Sequence, residues 1–599
     1  MNLKCLDDLR DHLIAAHPNC KATASFEILW EPCPAGMNGD ITVNCFRIAR
    51  DFASAPDALA EEAKNFLEQH TDVAGVEKIK AFVNVTLNAA GLFRDSVADV
   101  KKLMADVALP ESETKKILVE YSAPNTNKPQ HLGHVRNNTL GMSLVSLLAR
   151  AGHNMVPVNL VNDRGIHICK SMLAYQRCGN NVLPEEAGIK GDHYVGDFYV
   201  KYNNMLSDEI KALKAAKPEL ADKSSDELFL ETEIGREAQE MLLKWEAGDE
   251  DVVALWKKMN EWVFKGFAET YTRMGVKFVK TYLESNTYLL GKEVIAENLE
   301  KGVFQYREDG AVIADLGKLG QKVLLRKDGT SVYITQDIGT TLLKHSEHDP
   351  ESMIWVVGDE QNLHFQMLFS ILKKLGYDWA DRLYHLSYGM VNLPSGRMKS
   401  REGTVVDADD LFDEMAQLAA DACKERYGDE ISAEELAKRS ELIGLGALKF
   451  MLLKFNAKTT ITFDPAASLR FEGDTGPYVQ YVAARINSIS RKAAEAGIDP
   501  AKADWSRLGH EFEKELAVKL YFYPAQLKLC AERRDCSGLV EYLLDLCKCF
   551  NRFYRECPVV SIASEDPVLA AGRLALAQAV RKVVSDGLAT LTIGVPEAM

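Results

Sequence analysis

The stretch from Lys116 to Val161 constrains this chain most. An apolar, β-branched run, Lys116–Ser122 (KILVEYS), enters a loop at Ala123–Gln130. A helical pattern follows from His131 to about Arg150, Gly152 is placed to stop it, and a second strand-like run covers Met155–Val161. Strand, loop, helix and strand in that order make a βαβ unit on a parallel sheet. Open sheets of this kind bind ligands beyond the carboxyl ends of their strands, so the loop Ser122–His134 is where chemistry is expected.

That loop reads SAPNTNKPQHLGH. His131 and His134, three apart, share one face of the first helical turn, and Gly133 between them lets a flat or charged ligand approach the backbone. The helix start offers free N–H groups and a positive dipole end, a seat for phosphate. Histidines there can donate to phosphate oxygens as charge builds in a transition state. A second cationic loop, Gly396–Thr404 (GRMKSREGT), follows the strand-like run that ends near Val391, and it can neutralise a leaving polyphosphate.

The chain's 599 residues exceed one hydrophobic core and predict several domains. Residues 1–112 read as a small α+β accessory domain with strand-like runs at Ile41–Ile48 and Ala81–Leu87. Residues 113–405 read as a Rossmann-type α/β domain. An acidic helical insertion at about 177–260 carries 11 Lys and Arg against 18 Asp and Glu. Further strand-like runs lie near Phe278–Leu283, Ser331–Thr335, Met353–Val357 and His385–Val391. Residues 406–472 read as a helical connection. Residues 473–599 read as an α-helical bundle; amphipathic patterns run through 433–456 in the connection and through 474–496, 511–530, 537–556 and 568–590 in the bundle.

SAPNTNKPQHLGHVRNNTLG, followed by VNDRGIHICKSMLAYQ, resembles the arginyl-tRNA synthetases, and HLGH resembles the "HIGH" element of class I aminoacyl-tRNA synthetases. The resemblance implies a class I fold, with His131, Gly133 and His134 on ATP phosphates. It gives Lys128, three residues before His131, a phosphate role as well. GRMKSREGT resembles the "KMSKS" loop in degenerate form: Arg397 and Ser400 stand where the two lysines fall and Lys399 lies one position early. Met398, Lys399 and Arg401 are its implied ATP contacts. The implied arginine contacts are Asn125, Glu284, Tyr333, Asp337 and Gln361. A guanidinium, with five donors in a planar fork, calls for carboxylates, which Glu284 and Asp337 supply. Tyr333 would cover the apolar stem, and Asn125 would hold the α-amino group.

The segments GDTGPYVQYVAARINSI, FNRFYRECPV and GLATLTIGVPEAM resemble the family's anticodon-binding domain. They imply tRNA contacts at Tyr478, Arg485, Asn551 and Met599, although for most aromatics there helix packing is the better expectation. The expected activity is ATP-dependent formation of arginyl-adenylate, with Mg²⁺ bound to ATP, and transfer to tRNA(Arg). In this family the first step usually needs bound tRNA.

The net charge of −16 alone argues against polyanion binding, but residues 481–599 are balanced, 16 basic against 15 acidic. No apolar run reaches membrane-spanning length, and no secretory leader is read at the start. A cytoplasmic monomer is expected. The twelve cysteines form no CxxC pair, so no zinc ribbon is suggested, and most are expected to be small buried hydrophobes. Three rival readings stand beside this one: within the class, a synthetase for cysteine, glutamate or another side chain, and outside it, an HxGH nucleotidyltransferase and a silent tRNA-binding scaffold.

Overall fold

The computed structural model describes residues 3–24, 26, 28, 30–34, 36–98, 100–394, 406–427 and 431–599. Five parallel strands lie in the order Lys280–Leu283, Asn154–Val161, Lys116–Glu120, Ser352–Gly358, Leu383–Tyr388. Winding reverses between the third and fourth of these, which opens a crevice beyond their carboxyl ends. The strands are nearly continuous hydrophobic runs because both faces are covered: Leu118, Val119 and Ile354 have no exposed surface. The helix Leu132–Arg150 packs on one face, and Gly152 (φ +102°) turns the chain out of it into the next strand.

The insertion is all helical, but its body runs from Ile166 to Met274, beyond the expected 177–260. The helices Ile166–Cys178, Gly191–Ala216, Glu233–Glu246 and Glu250–Met274 share a core around Met172, Tyr202, Ala238 and Val263. Two expectations about strands fail. Ser331–Thr335 is not a strand, because the helix Tyr333–His348 begins inside it. The β-branched run is overridden by the helical pattern downstream, and Thr335 Oγ1 donates to Leu324 O to fix the entry. Ile41–Ile48 is strand only to Asn44, whose side chain accepts from Phe46 N (3.1 Å) and caps a short helix. An unforeseen three-stranded antiparallel sheet, Gln305–Tyr306, Val312–Asp315 and Gln321–Leu325, lies in the connection between the edge strand Lys280–Leu283 and the helix Tyr333–His348.

The N-terminal antiparallel sheet docks on the C-terminal bundle. The Trp30 ring lies 5.8 Å from Tyr521 and 5.3 Å from Phe522. The bundle helices Gly476–Glu495, Glu511–Arg533, Ser537–Glu556 and Pro567–Thr590 follow the expected periodicity within a few residues. The following segment is sewn to the rest of the protein: Ser143 Oγ donates to Leu591 O (3.0 Å), Lys449 Nζ to Thr592 O (2.8 Å) and Gln480 Nε2 to Gly594 O (2.7 Å). Nine of the twelve cysteines are buried, Cys20 and Cys33 are half-buried, and Cys178 is exposed. Burial pushes the thiols of Cys5, Cys45 and Cys169 up to about 12. Among the described residues, no helix is long and apolar enough to cross a membrane.

Candidate active site

Past Glu120 the backbone turns sharply. Ser122 (φ +80°) and Ala123 (φ +47°) both occupy left-handed conformations that cost non-glycine residues stability. Two buried asparagines offset the cost. Ser122 N donates to Asn137 Oδ1 (2.6 Å) and Ala123 N to Asn159 Oδ1 (3.0 Å). Thr126 N donates to Asn162 O and Asn162 N to Pro124 O, both 3.0 Å, which sets Asn125 beside the end of the neighbouring strand.

His131 is the N-cap of the next helix. Its Nδ1 accepts from Gly133 N (3.1 Å), and His134 Nδ1 accepts from His131 N (3.2 Å), a reciprocal cap with ring centroids 4.0 Å apart. With both Nδ1 atoms accepting, each neutral ring carries its proton on Nε2, which leaves one donor per ring. Burial, aided by Lys128, pulls the His131 imidazole down to about 4 and holds His134 well below its usual value; burial also lowers Lys128. Both rings are therefore neutral at neutral pH and offer hydrogen-bond donors.

Met398, Lys399 and Arg401 lie outside the described residues. The chain on either side is tied to the HLGH region. On the near side, Val391–Asn392 pairs with Ile461–Thr462. On the far side, Leu132 N donates to Val406 O (3.1 Å) and Ala408 N to Gln130 O (3.0 Å). Lys190 Nζ then joins Asp192 (3.2 Å) and Asp409 (2.6 Å), linking this segment to the insertion.

Glu284 opens a short helix directly after the edge strand Lys280–Leu283, two strands away from the HLGH loop and so about 10 Å across the sheet. Burial, with Asp163 and Asp337 nearby and Arg164 opposing, pushes its carboxyl up to about 7. Asp337 is thus close enough for its charge to act on Glu284. Asp337, one turn into the helix Tyr333–His348, pairs with His364 Nε2 at 2.6 Å. Tyr333 begins that helix and is 75% exposed; Gln361 is exposed at the start of the helix Asn362–Lys374.

Three neighbours of the pocket escaped the reading of the sequence. His364 holds Asp337. Asp163 accepts from Ser285 N (2.8 Å) and Oγ (2.7 Å) and so orients the Glu284 turn. Arg164 lies over the Tyr288 ring at 3.8 Å. The signal for the last two was present in VNDRG, a polar run at the end of a buried strand.

At the other end of the molecule, three expected tRNA residues form one chain of contacts. Asn551 Nδ2 donates to Tyr478 Oη (2.8 Å), and Arg485 Nη1 donates to Asn551 Oδ1 (3.1 Å). Arg485 also lies over the rings of Tyr481 (4.6 Å) and Tyr554 (5.1 Å). With Met599 it lines an open cavity of about 1340 Å³ bordered also by Arg491, Lys492 and Arg555. Phe550 and Phe553 are fully buried core.

The chain is similar to known proteins along its length. Family models match along the chain: "Arginyl tRNA synthetase N terminal domain" over residues 6–87, "tRNA synthetases class I (R), catalytic domain" over 99–464, and "DALR anticodon binding domain" over 479–599. The arginine–tRNA ligase of Parabacteroides distasonis is 45% identical over 94% of both chains, and that of Treponema denticola is 43% identical over 98% of this chain and 97% of its own. The arginyl-tRNA synthetase structure from Thermus thermophilus superposes with a TM-score of 0.81 at 25% identity over 100% of both chains. A five-stranded parallel sheet crossed at its switch point by HLGH, flanked by a matching N-terminal domain and helical bundle, places this chain in the class I arginyl-tRNA synthetase family.

Proposed function

We infer that the chain joins L-arginine to tRNA(Arg) through arginyl-adenylate, with Asn125, Glu284, Tyr333, Asp337 and Gln361 around the amino acid. The observation that carries this reading is the placement of two carboxylates at the carboxyl edge of the sheet that presents HLGH, Glu284 just past the edge strand and Asp337, whose charge acts on Glu284, one turn into the helix Tyr333–His348. A guanidinium between them satisfies both charges and draws Glu284 back into its ionised form. A thiol or carboxylate side chain would leave that acid pair uncompensated.

The ATP phosphates sit at the start of the helix Leu132–Arg150, met by Gly133, by the Nε2 donors of His131 and His134, and by Lys128. Met398, Lys399 and Arg401 supply further contacts. The described residues lining this seat offer nitrogen donors, whereas Mg²⁺ takes oxygen ligands, so Mg²⁺ enters as part of its ATP complex. A carboxylate oxygen of arginine attacks the α-phosphorus, the bond to pyrophosphate breaks, and the cationic groups stabilise the leaving charge. A ribose hydroxyl of the terminal adenosine then attacks the arginyl carbonyl carbon and AMP departs. No protein nucleophile is needed. The division of labour follows as 1–112 toward the tRNA elbow, 113–405 for chemistry, 406–472 against the stem and 473–599 at the anticodon, through Tyr478, Arg485, Asn551 and Met599. The chain acts as a cytoplasmic monomer.

Pyrophosphate exchange with each of the twenty amino acids, with and without tRNA(Arg), tests the reading. Exchange with arginine alone supports it. Exchange with another amino acid transfers the assignment within the class, and none under any condition leaves a tRNA-binding scaffold.

A further inference from the structure

The helix that begins with HLGH continues VRNN, a polar run with no outward face to occupy, and Arg136, Asn137 and Asn138 are all buried. Asn137 and Asn138 serve the loop below: Asn137 holds Ser122 N and donates to Val356 O (2.8 Å), and Asn138 donates to Gln130 Oε1 (2.8 Å). Arg136 points elsewhere. It has no exposed surface, and its Nη2 donates to two backbone carbonyls, Ala457 O at 2.9 Å and Thr459 O at 2.7 Å. Among the described residues its Nε and Nη1 have no acceptor. Asp359 and Tyr388 act on it only at longer range, and burial draws it down to about 10.

Stability alone does not account for that placement. A guanidinium held by two neutral carbonyls is costly to bury, and a well-packed apolar side chain of similar volume usually serves as well or better. What Arg136 does hold is a joint. Ala457 O also accepts from Gly389 N (2.9 Å), and Ile461 N donates to Met390 O (3.0 Å), so the loop 457–460 and the chain leaving the sheet's fifth strand are one unit. That unit carries Val391–Asn392, the approach to residues 395–405. A Cβ on Gly389 would stand 2.7 Å from both Lys458 O and Thr460 N, so the joint tolerates no spacer.

The geometry points to Arg136 as a positioning residue that fixes the Gly389–Asn392 segment, at the end of the sheet's fifth strand, in register with the helix that carries His131 and His134. Val406 and Ala408 are bonded at the start of the same helix, through Leu132 N and Gln130 O. Arg136 touches no reacting atom. It sets where the Gly389–Asn392 segment stands relative to His131 and His134. This inference rests on the ATP-dependent reading above and goes beyond it in naming what aligns the end of the fifth strand with the HLGH cradle.

The test is arginine- and tRNA-dependent pyrophosphate exchange by the full chain, with thermal unfolding followed in parallel. Arg136→Met should raise KM for ATP or lower kcat by ~30-fold or more while KM for arginine stays within ~3-fold, and Arg136→Lys should recover part of the loss. Gly389→Ala disturbs the same joint without touching Arg136 and should give the same split; it also keeps the question open should Arg136→Met fail to fold. Lys449→Met is the matched control. It too removes a buried cation bonded to two carbonyls, Met274 O and Thr592 O, but away from the joint, and it should lower thermal stability with KM for ATP within ~2-fold. Wild-type-like ATP kinetics in folded Arg136→Met or Gly389→Ala, or an equal ATP defect in Lys449→Met, would overturn the inference. Absence of exchange in the wild type would instead overturn the assignment of activity.

Discussion

The two ends of this molecule handle charge in opposite ways. In the catalytic crevice, titratable groups are withdrawn from water and held away from their usual values: His131 near 4, Glu284 near 7, Lys128 lowered. In the C-terminal cavity, arginines lie over tyrosine rings at an open surface, and there the Arg426 and Arg485 contacts favour the ionised Tyr481 phenol. The crevice is tuned so that its ligands complete the charge balance, which suits small cationic and anionic substrates that must be oriented to fractions of an ångström. The cavity presents standing charge and π-faces, which suits the flexible, polyanionic loop of an RNA.

This contrast can be broken most sharply at Asp337. Asp337→Asn leaves Glu284 and the arginine side chain without their partner and should raise KM for arginine ~100-fold or more, with KM for ATP changing less than ~3-fold. Equal losses for both substrates would place Asp337 outside the amino-acid pocket. Glu284→Gln should cost ~10–100-fold in arginine affinity by calorimetry at pH 8. Because its folded value lies above that of a free glutamate, Glu284 favours folding most at low pH and opposes it as pH rises through 7. Glu284→Gln should therefore stabilise the ligand-free protein at pH 8 by about 1–2 kcal/mol, after allowance for partial solvent screening. In the wild type, arginine affinity should fall between pH 8 and pH 6, with proton release on binding at pH 6. At the cavity, Arg485→Ala should raise KM for tRNA ~10-fold in aminoacylation and reduce the slope of log affinity against log salt by about 1, with tRNA-saturated exchange unchanged. The smallest effect belongs to Tyr478→Phe, which removes the acceptor for Asn551 and should change KM for tRNA by ~2–3-fold.

How much the sequence revealed followed the same division. The sheet, the HLGH helix and the bundle helices were legible because each rests on a local period: buried runs of β-branched residues, or apolar positions three and four apart. Ser331–Thr335 misled for a related reason, since VYIT has strand composition and becomes a helix start only with the helical pattern downstream and the Thr335 Oγ1 bond to Leu324 O. The sheet of Gln305–Leu325 was missed because its strands, two to five residues long, are too short to show alternation. In the site, residues within motifs could be found one by one. His364 and Asp163, which orient the acids, act across 27 and 122 positions of sequence, and no spacing rule reaches that far. Arg136 was hidden differently: a reader of helices assigns a charged residue to the outer face, and only the fold shows that this one has no outside.

The exposure of Cys178 has a practical consequence. It closes the helix Ile166–Cys178, and among the described cysteines the others are wholly or partly covered, several with thiols too basic to react at neutral pH. A maleimide dye should therefore attach first at the rim of the helical insertion, leaving the bundle's thiols untouched. The protein carries its own handle for watching, by fluorescence, whether that insertion shifts against the sheet when arginine, ATP and tRNA arrive.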